Sequence, residues 1–175
     1  MTDSIQSILR QARGIAFVCG LGVALLACSA EEAPAAPAPD EATVKTIAQG
    51  ELIGTTTPLG AQAWLGIPYA APPLGDLRWR APREAQLWEG RYEALDGTHR
   101  CLQYASEIEP GFEGGELAGS EDCLFLNVWA PPGPVEGLPV MVWIHGGANV
   151  WGFGGQLDPS QLALSQNVVV VAPNY

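Results

Sequence analysis

Leu-Pro-Val-Met-Val-Trp-Ile-His-Gly-Gly-Ala-Asn-Val-Trp-Gly-Phe-Gly-Gly, residues 138–155, is the stretch on which the reading of this chain turns. Val140 to Ile144 form a short apolar run without charge, which predicts a strand covered on both faces. His145-Gly146-Gly147 then break it. Two successive glycines open backbone torsions closed to other residues and leave no side chain between their amides and whatever binds above them.

Such a bend is able to aim N–H groups at an anion. In acyl transfer the developing charge is the oxyanion of a tetrahedral intermediate, and losing one preorganised donor to it raises the barrier by roughly 3 to 4 kcal/mol. A plain tight turn after a strand fits the same three residues, so the flanking sequence has to decide.

Composition narrows the choice. The chain has 175 residues, 47% of them hydrophobic, with 19 acidic against 8 basic side chains. Residues Ile15 to Ala27 form an apolar run preceded by Arg10 and Arg13, placed like a secretory signal and too short to span a bilayer comfortably. Without Asp3, Arg10 and Arg13 the balance is 18 acidic to 6 basic, so no basic patch is left for nucleic acid. Leu25-Leu26-Ala27-Cys28 resembles a bacterial lipobox, which would make Cys28 a lipid-bearing first residue and the only tie to a membrane; an ordinary signal peptide is the other reading. Ser29 points by the same resemblance to a periplasmic or outer-membrane lipoprotein.

Residues 28–45 read as a linker. Glu31 to Thr43 within it are alanine, proline and acid, too poor in apolar side chains to offset ordering entropy. Residues 46–175 are the domain. Of four cysteines, Cys19 leaves with the leader and Cys28 is the lipidation candidate, so Cys101 and Cys123 remain, and an export signal favours their pairing. Closing that 22-residue loop would stabilise the fold by roughly 3 kcal/mol. The cysteine pattern offers no metal site and no cofactor motif is present.

Val44 to Thr55 and Ala61 to Leu65 read as two strands joined across Thr57-Pro58-Leu59-Gly60, a type I turn pattern. Leu124 to Ala130, Val140 to His145 and Val168 to Ala172 read as further strands, the last apolar without alternation like an interior parallel strand. Before it, Asp158 as N-cap, Pro159 at the first helical position and Gln161 in a capping-box place predict a short helix. Strand, bend, helix and strand make a βαβ crossover.

Five segments in order carry a resemblance. Gly-Ile-Pro-Tyr-Ala-Ala-Pro-Pro-Leu-Gly-Asp-Leu-Arg-Trp-Arg-Ala-Pro at 66–82 is followed by Trp88-Glu89-Gly90 and Cys101-Leu102-Gln103. Ser-Glu-Asp-Cys-Leu-Phe-Leu-Asn-Val-Trp at 120–129 and His145-Gly146-Gly147-Ala148 complete the series. Together they resemble the type B carboxylesterases, which implies the N-terminal portion of an α/β-hydrolase fold: a small hairpin, then the first strands of a mixed sheet.

The resemblance also implies roles. Gly147 and Ala148 would supply two oxyanion-hole amides, with Gly146 as the hinge that aims them. Asn149 stands where the family usually has an aromatic residue, and Trp151 and Phe153 are either substitutes lining the acyl pocket or ordinary packing. Arg78 and Glu121 occupy the places of a buried ion pair. His145 is a support for the bend, because the histidine of this fold's triad comes last in the chain. His99, beside Arg100, reads as a solvated residue.

Ser106, Ser120, Ser160 and Ser165 all lack the flanking glycines of a nucleophile elbow. The expectation is therefore an N-terminal piece of a serine hydrolase acting on small carboxylic esters, truncated before its nucleophile, acid and histidine and inactive alone. A non-catalytic cholinesterase-like binding protein is the alternative. A stand-alone lipoprotein fits less well, since the last strand would offer an open apolar edge.

Overall fold

The computed structural model describes residues 36–105, 107 and 114–175. The signal segment and Cys28 lie outside the described residues. Within the described unit the first elements are β1 (Lys45–Ile47), β2 (Gly50–Ile53), β3 (Thr55–Thr56) and β4 (Gln62–Pro68). They are followed by β5 (Arg91–Glu93), β6 (Gln103–Tyr104), β7 (Leu117–Ala118) and β8 (Phe125–Ala130), then β9 (Val140–Val142), the helix α1 (Ser160–Gln166) and β10 (Val169–Pro173).

The run from Val44 to Thr55, expected as one strand, is broken by the turn at Ala48-Gln49 and again at Gly54 into the antiparallel pair β1–β2 and the short β3. β3 meets β4 across the expected turn, where the Gly60 amide donates to the Thr57 carbonyl at 2.8 Å. β5 joins β2 in parallel to complete a small three-stranded sheet.

The main sheet has five strands in the order β3-β4-β8-β10-β9. Its β3–β4, β4–β8 and β8–β10 pairs are antiparallel and β10–β9 is parallel, so the crossover through α1 is present. The β4–β8 register shifts between Trp64 and Ile67. Gly66 sits in that bulge at φ +77°, a conformation favourable only for glycine, and its amide donates to the Asn127 side chain at 2.7 Å. Asn127 is a polar residue in an apolar strand because it replaces the ladder bond that the bulge removes.

Two expectations about this sheet are corrected. The Val140–Ile144 strand was to be covered on both faces, yet with only the described residues around it Val140 and Ile144 are 62% and 68% exposed. The open apolar edge was assigned to the last strand, yet β10 lies inside the sheet and β9 forms the edge. Insertion of β10 between β8 and β9 accounts for both: Val170 and Ala172 are buried with Trp129 and Ala63, while β9 is left with a single neighbour.

The cap of α1 is displaced by one residue. Pro159 is the first non-helical residue, and the Asp158 carboxylate accepts the Ser160 amide at 2.9 Å and the Ser160 hydroxyl. Asp158 is therefore not the N-cap that was expected but the residue before it, reaching past Pro159 to the first helical amide, and Gln161 is exposed.

The linker boundary is corrected too. Asp40 to Thr43 belong to the folded unit: residues Glu41–Thr43 make a 3-10 turn and Thr43 is fully buried. The Thr43 hydroxyl donates to the Asp40 carbonyl and accepts the Gly54 amide, while its own carbonyl accepts the Trp64 indole N–H at 2.7 Å. An acidic, alanine-rich stretch is thus anchored by polar contacts rather than by apolar burial.

Candidate active site

β9 ends where the Trp143 amide donates to the Val171 carbonyl at 2.8 Å, and the chain then enters the glycine-rich bend. His145 is buried, its ring stacked on Tyr175 at 4.3 Å between centroids. Its Nδ1 donates to the Gly146 carbonyl at 2.9 Å, and the Tyr175 hydroxyl donates to the His145 carbonyl at 2.7 Å. The histidine therefore holds the entrance of the bend.

The turn itself runs from Gly147 to Val150, closed by the Val150 amide on the Gly147 carbonyl at 2.9 Å. Ala148 and Asn149 take φ +55° and +59°, the pattern of a type I′ turn. An alanine there costs about 1 kcal/mol in backbone strain. Gly147 has no such latitude: at φ +116°, an added methyl would stand 1.6 Å from the Trp151 carbonyl oxygen.

At the exit, Gly152 takes φ +127° and packs so closely on the His145 ring and the Gly146 carbonyl that a methyl would meet each at 2.5 Å. Its amide donates to Gln103 Oε1, and Gln103 Nε2 donates to its carbonyl at 3.0 Å. Two residues later the Gly154 amide donates to Asn174 Oδ1 at 2.7 Å. Asn174 is buried, and its Nδ2 reaches the carbonyls of His99 at 2.9 Å and Cys123 at 3.0 Å. Between these two held ends, the amides of Gly146, Gly147, Ala148 and Asn149 donate to no acceptor among the described residues.

The two aromatic candidates do not meet. Trp151 lines a small cavity of about 210 Å³ with Gln103, His145, Asn149 and Tyr175. Phe153 faces a separate groove of about 1100 Å³ beside Leu65 and Trp129. The Arg100 guanidinium lies over the Phe153 ring, 4.1 Å from its centroid. His99 is not merely solvated: its ring is 3.9 Å from that of Phe125, and its Nδ1 donates to the Asp96 carbonyl at 2.9 Å.

Cys101 and Cys123 are brought together, Cα atoms 4.8 Å apart with the sulfurs joined. Arg78 and Glu121 also meet, at 2.7 Å, but their side chains are 53% and 38% exposed, so the pair is not buried. The neighbouring Trp79 is 97% exposed, and nothing among the described residues roofs the guanidinium. An exposed pair of this kind contributes about 0 to 1 kcal/mol rather than the several expected of a buried one.

Around the site, burial raises the phenol of Tyr92, helped by the negative charges of Asp96 and Asp122. Burial likewise raises Tyr69, whose hydroxyl donates to the Asn174 carbonyl at 2.8 Å. For Asp96 burial is the largest influence and acts upward, but the hydroxyl and amide of Thr98 together with His99 outweigh it and leave the carboxyl below its usual value. Among the described residues no group of three or more His, Cys, Asp or Glu is placed to hold a metal. Nor is any described helix long and apolar enough to cross a membrane.

Gln103, Asn127 and Asn174 escaped the sequence reading as individual residues. Their signal was nonetheless present: an amide side chain next to or inside an apolar run has to find partners when buried.

The Carboxylesterase family model matches residues 40–175. The chain is 42% identical over 135 residues to the para-nitrobenzyl esterase of Bacillus subtilis, covering 75% of this chain and 27% of that protein. It is 41% identical over 138 residues to the acetylcholinesterase of Electrophorus electricus, covering 72% and 22%. With the human cocaine esterase it shares 36% identity over 178 residues, covering 94% and 31%. A solved PNB esterase structure superposes with a TM-score of 0.66 at 41% identity, over 76% of this chain and 27% of that one. The chain thus spans less than a third of the length of these relatives, and the part it contains is the N-terminal portion of their α/β-hydrolase fold. On this match and this architecture, the chain is a member of the carboxylesterase family.

Proposed function

We propose that the segment is the N-terminal part of a serine esterase that cleaves small carboxylic esters through an acyl-enzyme, and that its contribution is the oxyanion-holding bend. The observation that carries this reading is the set of unengaged amides at Gly147 and Ala148, on a turn fixed at both ends. In the complete polypeptide a serine hydroxyl, deprotonated by a histidine, attacks the ester carbonyl. The carbonyl oxygen becomes an oxyanion that accepts hydrogen bonds from these two N–H groups; it collapses as the histidinium gives its proton to the leaving alcohol, and water, deprotonated by the same histidine, then releases the acid from the acyl-enzyme and restores the serine. Gly146 serves as hinge, and Trp151 shapes one wall of the adjoining cavity.

The 175-residue chain alone is expected to hydrolyse no 4-nitrophenyl acetate above a denatured control. Turnover by it would overturn the division of labour proposed here. Reading the coding frame past Tyr175 is the second test. A Gly-x-Ser-x-Gly followed by an acid and a histidine supports the esterase, and a substituted serine moves the protein to a binding role.

The same proposal extends to placement. Export by the segment ending at Ala27, lipid on Cys28 and a disulfide between Cys101 and Cys123 fit an ester hydrolase tethered outside the cytoplasm. Mass spectrometry of the mature N-terminus and thiol titration under denaturing conditions check these three features.

A further inference from the structure

We propose that Gln103 is a positioning residue for the oxyanion-holding bend, a role that rests on the esterase reading given above. Its carboxamide matches the peptide groups of Gly152 at both ends, accepting the Gly152 amide through Oε1 and donating to the Gly152 carbonyl through Nε2 at 3.0 Å. The second N–H of Nε2 goes to the Cys101 carbonyl at 2.9 Å. Both donor hydrogens and the acceptor oxygen are therefore engaged, which locks the side chain in a single orientation.

What Gly152 does next makes this contact more than a local one. The residue lies directly against the His145 ring and the Gly146 carbonyl, so the exit of the bend is registered on its entrance. The entrance is held by the Tyr175 hydroxyl on the His145 carbonyl. Only residues 146–151 lie between the two fixtures, and the direction of the Gly147 and Ala148 amides is set by where those ends are. Misplacement of reacting groups by about 1 Å costs on the order of 100-fold in rate. Gln103 touches no reacting atom; it acts through the bend.

Few side chains are able to substitute. Leucine has the length without the polar atoms, and ionised glutamate accepts the Gly152 amide but turns a second negative oxygen toward the carbonyl. Protonated glutamic acid is different, because its carbonyl accepts and its hydroxyl donates as the amide of glutamine does.

The test uses the complete polypeptide that carries this segment, comparing wild type with Gln103→Leu and Gln103→Glu. With 4-nitrophenyl acetate, Gln103→Leu should lose roughly 10- to 100-fold in kcat while KM stays within about threefold. Affinity for a trifluoromethyl ketone, whose adduct places an oxyanion in the same site, should fall by a matching factor. For Gln103→Glu, the kcat ratio to wild type should rise as pH falls into the carboxyl range. An unchanged kcat, a loss confined to KM, or a pH-independent Gln103→Glu ratio would each overturn the proposal. If the wild type hydrolyses no ester, the esterase reading fails by itself, and amide exchange decides the positioning role. In Gln103→Leu, faster exchange of the Val150 and Trp151 amides, both bonded to the Gly147 carbonyl and neither touching Gln103, supports it, and wild-type exchange at both overturns it.

Discussion

The corner at Asp40–Trp64 and the bend at His145–Gly155 are both short stretches of irregular backbone held by side chains, and they treat their main-chain donors in opposite ways. In the corner the donors are taken up within the fold: Ala42 by the Asp40 carboxylate, Thr43 by the Asp40 carbonyl, Gly54 by the Thr43 hydroxyl. In the bend the ends are held by Tyr175 and Gln103 while four consecutive amides find no acceptor among the described residues. Unsatisfied donors are unfavourable for a fold unless water or a ligand meets them. Gly146, Ala148 and Asn149 are exposed, so water reaches the donors of the bend, which left-handed Ala148 and Asn149 stiffen, and the proposed esterase role would have an oxyanion take the water's place at two of them.

Breaking the bend should have the largest effect. Gly147→Ala forces a methyl onto the Trp151 carbonyl at 1.6 Å, so the turn has to open. Ester hydrolysis by the complete polypeptide is expected to fall by roughly 100-fold or more, measured as kcat with 4-nitrophenyl acetate; a variant within threefold of wild type would remove the bend from the chemistry. Cys123→Ser comes next, with an expected loss of roughly 3 kcal/mol in urea unfolding. Reduction of the wild type should reproduce it, and a reduced protein as stable as the oxidised one would show the bond to be absent. Thr43→Val tests the corner itself. It leaves the buried Gly54 amide without its partner and should cost about 1 to 3 kcal/mol while kcat of the folded enzyme is unchanged.

What the sequence made legible follows the same division. Apolar runs bounded by glycine and proline disclosed the strands around β8, β9 and β10, and the Asp158-Pro159 start signal disclosed the helix between the last two, because such patterns are local. Which of β9 and β10 lies at the edge was not legible: both are uncharged apolar segments, and their order depends on pairing with β8, far away in the chain. The corner was hidden for a related reason. Its anchors, Thr43 to Gly54 and Thr43 to Trp64, join residues 11 and 21 positions apart through hydroxyl and carbonyl groups, which hydropathy does not register. Gln103 and Gly152 are 49 positions apart, so glycine spacing revealed the bend but not what holds it. The Arg78–Glu121 contact was anticipated and its exposure was not, since pairing depends on two residues and burial on everything around them.

Acid offers the finest separation of the two regions. Two donors hold the Asp40 carboxyl below its ordinary 3.8, the Thr56 hydroxyl first and the Ala42 amide second. A carboxyl lowered on folding contributes stability that is fully present above its unfolded value and is lost as pH falls through the lower, folded one. The bend, residues 145–155, contains no carboxylate of its own. Lowering the pH below 3.8 should therefore loosen the corner before the bend, seen as faster amide exchange at Ala42 and Gly54 while Gly152 stays protected. Asp40→Asn should already show faster exchange at the corner near neutral pH and a flatter acid limb in the denaturation midpoint. Simultaneous loss of protection at Gly54 and Gly152 would mean that the two regions open as one unit, and that the independence of inward-turned and outward-turned donors fails at the level of stability.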